Sequence, residues 1–338
     1  MKRFRLSILL VGLHLSLLPS VGQQPSQTAP APSPQEHPTA SAAAQAPPMK
    51  EQIRSTVAFL GVDYLNGATR GSVIGTCFFV MVPDSRLGAD QGFAYLVTNR
   101  HVAQPGIDLG SPYQFEHLYL RMNLVAPENG LHSVTQQVLL SEQRHWFFPP
   151  EAAVDLAIFP IAPDQKRYAY RTIPLSMIAG SDVLHANSVD VGDSVLFAGF
   201  FSSFSGQTRM EPIVREGVIA MMPEETLDTT LHRKGRLFLA DLHAFHGNSG
   251  SPVFANLSGL RNGGITAGER YILLGVISGY YPESAGFSVP AATVLTGDVR
   301  DNSGIATIVP AEELVKLLNS PEVQAERDQE IARLTKKP

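Results

Sequence analysis

Cysteine occurs once in 338 residues, at Cys77, so no disulfide can close within the chain and the fold must hold through its apolar core. Charge is also sparse, at 17% of residues. Outside the extreme N-terminus there is no block of Lys or Arg, and with a net charge of -5 the chain lacks the basic footprint of a nucleic-acid binder. Long apolar runs are missing: residues 6–18 form a run of 13, short of the roughly 20 that a spanning helix needs, and no later run is longer. A metal cluster is missing as well. His243 and His246 stand three apart on a strand-to-loop segment, where that spacing does not converge on one ion and no third ligand is near. Neither a metal nor another cofactor is expected.

The N-terminus has the layout of an export signal. Lys2, Arg3 and Arg5 precede the apolar run, and the small-residue sequence Ser20-Val21-Gly22 follows it, which predicts cleavage after Gly22. The expectation is an exported bacterial protein, periplasmic or secreted, with no stable membrane span once the signal over residues 1–22 is removed. An uncleaved signal anchor is the other reading. Residues 23–50 are rich in Pro, Ala and Gln and too poor in apolar side chains to order themselves, so they read as a disordered linker.

From residue 51 to 320 the composition is that of a folded domain. Six runs rich in β-branched and aromatic residues lie near residues 56–62, 73–81, 94–102, 115–124, 134–140 and 155–161. Six more follow near 194–200, 212–222, 236–243, 252–255, 270–281 and 304–309. Two groups of six predict an all-β fold of two six-stranded antiparallel barrels, about residues 52–165 and 190–310, because closure removes exposed sheet edges. After Pro310, Leu314, Leu317 and Leu318 recur at helical spacing and predict a short C-terminal helix; residues 321–338 read as a charged tail, with 322–337 a solvated or frayed helix.

Three local patterns carry chemistry. Gly247-Asn248-Ser249-Gly250-Ser251-Pro252 flanks a serine with small residues, so the loop can expose a hydroxyl beside backbone N–H groups. Gly247 and Ser249 supply the candidate oxyanion-hole donors; the bland alternative is an ordinary Gly/Ser turn. A serine hydroxyl needs a general base, itself oriented by a third group. His101, at the end of the run 94–102, is the candidate base, and Asp155, directly before an apolar run, is the candidate orienting acid. Taken singly, each has a structural alternative, a strand-end histidine and a turn-capping aspartate. Taken together, one group per region in the order His, Asp, Ser suits a cleft between two barrels.

At these residues the chain resembles the trypsin-like superfamily of serine proteases. Thr98-Asn99-Arg100-His101-Val102, Asp155-Leu156-Ala157 and Gly247-Asn248-Ser249-Gly250-Ser251-Pro252 match its three catalytic blocks, over about residues 52–318. Asn248, where digestive members carry Asp, is similar to the bacterial branch that includes HtrA-type proteases and glutamyl endopeptidases. It implies that activation by a newly cut N-terminal ammonium does not operate. The resemblance further implies a protein or peptide substrate, with His243 and Ala244 at the base of the specificity pocket. Ser278, Gly279 and Tyr280 would line one wall and pair with extended substrate, and Ser278 would support Asp155 by a hydrogen bond. No acid stands at the pocket base, which disfavours Lys or Arg before the scissile bond. Ile277 and Ala244 depart from the glutamyl-specific pattern. Only 28 residues follow Pro310, too few for the peptide-binding domain of HtrA-type proteins, and the oligomeric state stays open. The competing readings are a catalytically inactive trypsin-like binding protein of the cell envelope and an esterase using the same triad.

Overall fold

Apolar side chains that alternate with period two enter two different cores. In the computed structural model, which describes residues 47–88, 91–141, 144–261, 263–289 and 295–335, the run near residues 56–62 becomes β1 (Val57–Asn66). Ala58, Leu60 and Val62 point into one cluster with Cys77, Phe79, Leu96 and Leu120, while Val57 and Phe59 point into another. Both faces of the strand are buried, so a slip of one register would exchange the two sets. The expected export signal and most of the expected linker lie outside the described residues.

Around β1 are β2 (Thr69–Pro83), β3 (Gly92–Thr98), β4 (Gln114–Glu128), β5 (Leu131–Val138) and β6 (Ala157–Pro160), antiparallel in the order β5-β4-β1-β2-β3-β6. The short β7 (Ile173–Pro174) adds to β2 in parallel. In the second half come β8 (Ser194–Gly199), β9 (Ile213–Met221), the small hairpin β10 (Leu227–Asp228) and β11 (Lys234–Gly235), β12 (Phe238–Asp241) and β13 (Pro252–Asn256). A second small hairpin, β14 (Gly259–Arg261) and β15 (Gly264–Thr266), precedes β16 (Tyr271–Val289) and β17 (Leu295–Pro310). Six of these close into a barrel of order β12-β17-β16-β13-β8-β9.

The all-β, two-barrel fold read from the sequence is therefore what forms. The hydrogen-bonded ring is complete in the second barrel. In the first, the end strands β5 and β6 do not pair with each other among the described residues, and the isolated bridges Phe147–Ile158 and Leu124–Tyr168 tie the chain before and after β6 to the sheet. Trp146 packs there on Phe159, 5.2 Å between ring centres. Cys77 is buried in the same core, its thiol directed at the Ala58 carbonyl, and burial pushes its pKa far up, so it stays a neutral apolar side chain.

Three elements differ from expectation. Helix α1 (Met49–Arg54) starts the folded part inside the span read as linker, because Ile53 is buried in the central cluster and Met49 packs against it. The run expected to extend through Val102 ends at Thr98, and α2 (Arg100–Ala103) follows it. After α3 (Ser181–Ala186) and the predicted α4 (Ala311–Leu318), the helix expected to be solvated or frayed forms α5 (Pro321–Thr335) and is docked, burying Val323 and Arg327. Arg327 Nη1 donates to the Leu318 carbonyl at 2.9 Å, which offsets the burial of its charge.

The cluster that Val57 and Phe59 enter is the seam between the barrels. Phe78, Val80, Val97 and Ile158 of the first half meet Leu196, Ala198, Phe254, Leu273 and Val276 of the second, and Leu314, Leu317 and Leu318 of α4 seal one side. Leu314 is fully buried in this seam. Leu314→Ala should lower unfolding free energy by about 2–5 kcal/mol in urea denaturation; an unchanged midpoint would show that α4 does not seal the seam.

Candidate active site

The seam ends where β2 meets the loop before β13. Gly75 is the point of closest approach. A methyl group there would come 2.9 Å from Val102 of α2 and 3.2 Å from the Ser249 carbonyl oxygen, so its lack of a side chain lets the His101 helix and the Ser249 loop press on one strand. Thr76, the next residue, is fully buried and bonds in every direction. Its N–H donates to the Ser249 carbonyl (2.8 Å) and its Oγ1 to the Gly247 carbonyl (2.8 Å). The same Oγ1 accepts from the Phe200 N–H (2.9 Å), and the Thr76 carbonyl accepts from Thr98 Oγ1 (2.8 Å). Gly250, at φ +86°, passes so close that a Cβ would collide with the Thr76 carbonyl.

With the carbonyls of Gly247 and Ser249 taken by Thr76, the peptide groups that follow these two residues are fixed. The N–H groups of Asn248, Gly250 and Ser251 are satisfied by the carbonyls of Phe245, Ile277 and Asn248, at 2.9 Å each. Among the described residues, the N–H groups of Gly247 and Ser249 have no acceptor. Gly247 reaches this shape at φ +92°, a region costly for any residue with a Cβ. Two free donors flanking an accessible serine form a site for a developing oxyanion. Asn248 is buried, with Nδ2 donating to the Phe200 carbonyl (2.6 Å) and Oδ1 accepting from the Phe245 N–H (2.8 Å). Both of its polar atoms are engaged, so nothing at this position is left to pair with an ammonium.

His101 sits on α2 rather than at the strand end, which sets its ring facing Asp155 in the loop before β6. Its Nδ1 lies 2.7 Å from Asp155 Oδ2, and its N–H donates to Oδ1 at 3.0 Å. Because the carboxylate can only accept, Nδ1 carries the proton and Nε2 keeps a lone pair. Asp155 is fully buried, whereas 19% of the His101 side chain remains exposed, so the base stays accessible. Burial alone would raise the Asp155 pKa, but the facing imidazole and the hydrogen bonds that the carboxylate accepts outweigh it and hold the acid ionised. Burial likewise pulls the imidazole toward neutrality, and the Asp155 carboxylate, aided by Asp108, outweighs it and raises His101 above its ordinary 6.5.

Ser278 corrects an expectation. Ser278 is the extra residue of a bulge between the pairs Ile277–Ile308 and Gly279–Thr307, and its hydroxyl bonds Thr307 Oγ1 at 3.0 Å, on the face of β17 opposite the core residues Ala306 and Ile308. It makes no bond to Asp155. That bond comes from Thr230 Oγ1, 2.6 Å from Asp155 Oδ2, a residue that no motif singled out. The Ser278 carbonyl faces outward and lies 3.4 Å from Ser249 Oγ. Ala244 is also misplaced in the sequence reading: it is buried in the second-barrel core, so its methyl does not line an open pocket. His243 is exposed beside Gly304, where a Cβ would come 3.3 Å from its ring, and exposed His246 meets Tyr280 edge-on at 6.1 Å. Gly279 and Tyr280 are half-buried. Beyond Val276, β16 pairs with β17 but no longer with β13, leaving the edge at Ser278, Gly279 and Tyr280 without a strand partner among the described residues. No group of His, Cys, Asp and Glu among the described residues could hold a metal ion.

Thr76→Val keeps the shape and removes the hydroxyl bonds to Gly247 and Phe200. It should cost about 1–3 kcal/mol of stability and slow the reaction of Ser249 with a fluorophosphonate about tenfold or more. Stability and labelling rates equal to the original would show that Thr76 does not set the loop.

Residues 75–260 match the family model of the trypsin-like peptidase domain. Among solved structures, Deg5 is similar at 15% identity and a TM-score of 0.38, over 68% of this chain and 81% of that one. The HtrA-type protease AlgW with a decapeptide is similar at 14% identity and a TM-score of 0.44, over 81% of this chain and 66% of that one. No curated protein matches. With more than half of its residues inside the family model, the chain belongs to the trypsin-like peptidases.

Proposed function

We propose that the protein is an exported serine endopeptidase in which Ser249 is the nucleophile, His101 the general base and Asp155 the orienting acid. The observation that carries this reading is the pair of unshared N–H groups at Gly247 and Ser249, fixed by Thr76 close to the His101–Asp155 pair. His101 Nε2 takes the Ser249 proton as Oγ adds to the substrate carbonyl carbon, and the negative oxygen that results is received by the two N–H groups. The imidazolium, stabilised by Asp155, gives the proton to the departing amine. Water repeats the sequence on the acyl-enzyme.

The unpaired edge of β16 at Ser278 to Tyr280 suits an extended peptide, whose backbone would add as a further strand and so be bound with little regard to its sequence. Exposed His243 and His246 near this edge disfavour basic side chains before the scissile bond. Export rests on Lys2, Arg3, Arg5 and the apolar run after them.

One observation favours a second reading. Ser249 Oγ is directed at the Ser278 carbonyl at 3.4 Å, and among the described residues it makes no bond to His101. A binding protein that kept the fold and lost turnover would rest in such a state. The serine hydroxyl turns about χ1 between staggered positions, and catalytic hydrogen bonds commonly tighten only with substrate present.

The purified protein should label with a fluorophosphonate and cleave casein, and Ser249→Ala should lose both. Labelling undiminished in Ser249→Ala would refute the nucleophile, and labelling without cleavage of any peptide library would favour the binding reading. The pH dependence is also set. His101 must be neutral to act as base and its pKa is raised, so the labelling rate should climb with pH through one ionisation above 6.5. An ionisation below that value would contradict the His101–Asp155 pairing.

A further inference from the structure

The second barrel sends a hairpin across the cleft. β10 and β11 pair through Leu227–Gly235 and Asp228–Lys234, and the turn between them is internally tied: Thr229 N–H to the Arg233 carbonyl (2.9 Å) and His232 N–H to the Thr229 carbonyl (2.9 Å). Thr229 and Leu231 are buried on either side of Thr230. Gly235 packs against Ala153, where a Cβ would come 3.2 Å from the alanine methyl. The turn is thus seated beside the loop that carries Asp155. A threonine between two buried anchors, with Oγ1 2.6 Å from a fully buried carboxylate oxygen, has little freedom to leave it.

The same hairpin touches the edge offered to substrate. Gly279 leaves space for Thr230: a Cβ at 279 would come 2.8 Å from Thr230 Cγ2. Tyr281 donates its hydroxyl to the Asp228 carbonyl at 3.3 Å. Ser278, which the family resemblance assigned to Asp155, bonds Thr307 instead, so the carboxylate's hydroxyl donor comes from the hairpin beside the substrate strand and not from the strand itself.

We propose that Thr230 is a positioning residue: its hydroxyl holds the Asp155 carboxylate in the plane His101 requires, and the β10–β11 hairpin ties that placement to the substrate-binding edge at Gly279 and Tyr281. The proposal rests on the triad reading above. Oδ2 receives two donors, His101 Nδ1 and Thr230 Oγ1, while Oδ1 receives the His101 N–H. Without Thr230 the carboxylate is free to turn about its last torsion and is less shielded. Arg100 on α2 acts on Asp155 and is itself faced by Arg233 of the hairpin, Asp108 just beyond α2 acts on His101, and these charges stay the same in each variant below. The less shielded carboxylate should then hold the imidazolium more firmly, so the ionisation that limits labelling should move to higher pH.

The test is the second-order rate of fluorophosphonate labelling of the full-length protein against pH. Thr230→Val should label about tenfold to a hundredfold more slowly, with its ionisation shifted upward, while Thr230→Ser, which keeps the hydroxyl, stays within about threefold of the original. Lys234→Ala, which removes only the exposed hairpin ion pair with Asp228, should leave rate and profile unchanged. Should valine unsettle the turn, Thr230→Ala carries the same expectation. A Thr230→Val rate and profile equal to the original would overturn the proposal, as would a Thr230→Ser variant as slow as Thr230→Val. Failure of the unaltered protein to label would instead overturn the triad reading, and the role of Thr230 with it.

Discussion

Thr76 is the constraint on which the site depends. One buried residue of the first barrel binds two carbonyls of a loop that belongs to the second, receives the N–H of Phe200 and accepts from Thr98, three residues before His101. Fixing those carbonyls fixes the peptides that follow Gly247 and Ser249, whose far ends, the Asn248 and Gly250 N–H groups, are engaged as well; with both flanks of the loop pinned, the Gly247 and Ser249 donors are aimed before any substrate arrives. Donors aimed in advance cost no reorganisation during reaction, which is why such sites are effective. Gly75 and Gly250 make the contact possible by giving up side chains that would hold the strand and the loop apart.

The apolar seam keeps this contact in register. Phe78 and Val80 of β2 face the second barrel while Cys77 and Phe79 face the first core, so the strand that carries Thr76 is gripped on both sides. With a single cysteine, packing has to supply that rigidity. α4 and α5 extend it: Leu314, Leu317 and Leu318 close the seam, and Arg327 ties α5 to the end of α4 through the Leu318 carbonyl. The acid is held from both barrels as well, by His101 on one side and Thr230 on the other.

Much of this was legible in the sequence, for identifiable reasons. Strands with one or both faces buried write alternating or continuous apolar runs, and the twelve expected runs are the strands of the two barrels. Ser249, His101 and Asp155 stood out because their neighbours, Gly250, Asn99 and Leu156, are themselves constrained. Thr230 and Thr76 did not, since a threonine in a strand or turn is ordinary and its partner lies in the other half of the chain. Ser278 and Ala244 were misjudged because resemblance carries a residue's position and not the direction of its side chain, which here is decided by the bulge between β16 and β17 and by the second-barrel core. The helix of α5 was legible but its docking was not, because its burial depends on little more than Val323 and a paired arginine, too sparse for an apolar period.

If Thr76 aims the Gly247 and Ser249 N–H groups at the oxygen of an acyl group on the proposed nucleophile, a crystal structure of the protein inactivated by a phosphonate ester should show it. Phosphorus should be bonded to Ser249 Oγ, with one phosphonyl oxygen about 2.7–3.1 Å from both nitrogens and the Thr76 bonds to the loop unchanged. An adduct on another residue, or a phosphonyl oxygen turned to solvent with the two N–H groups still unpaired, would contradict it.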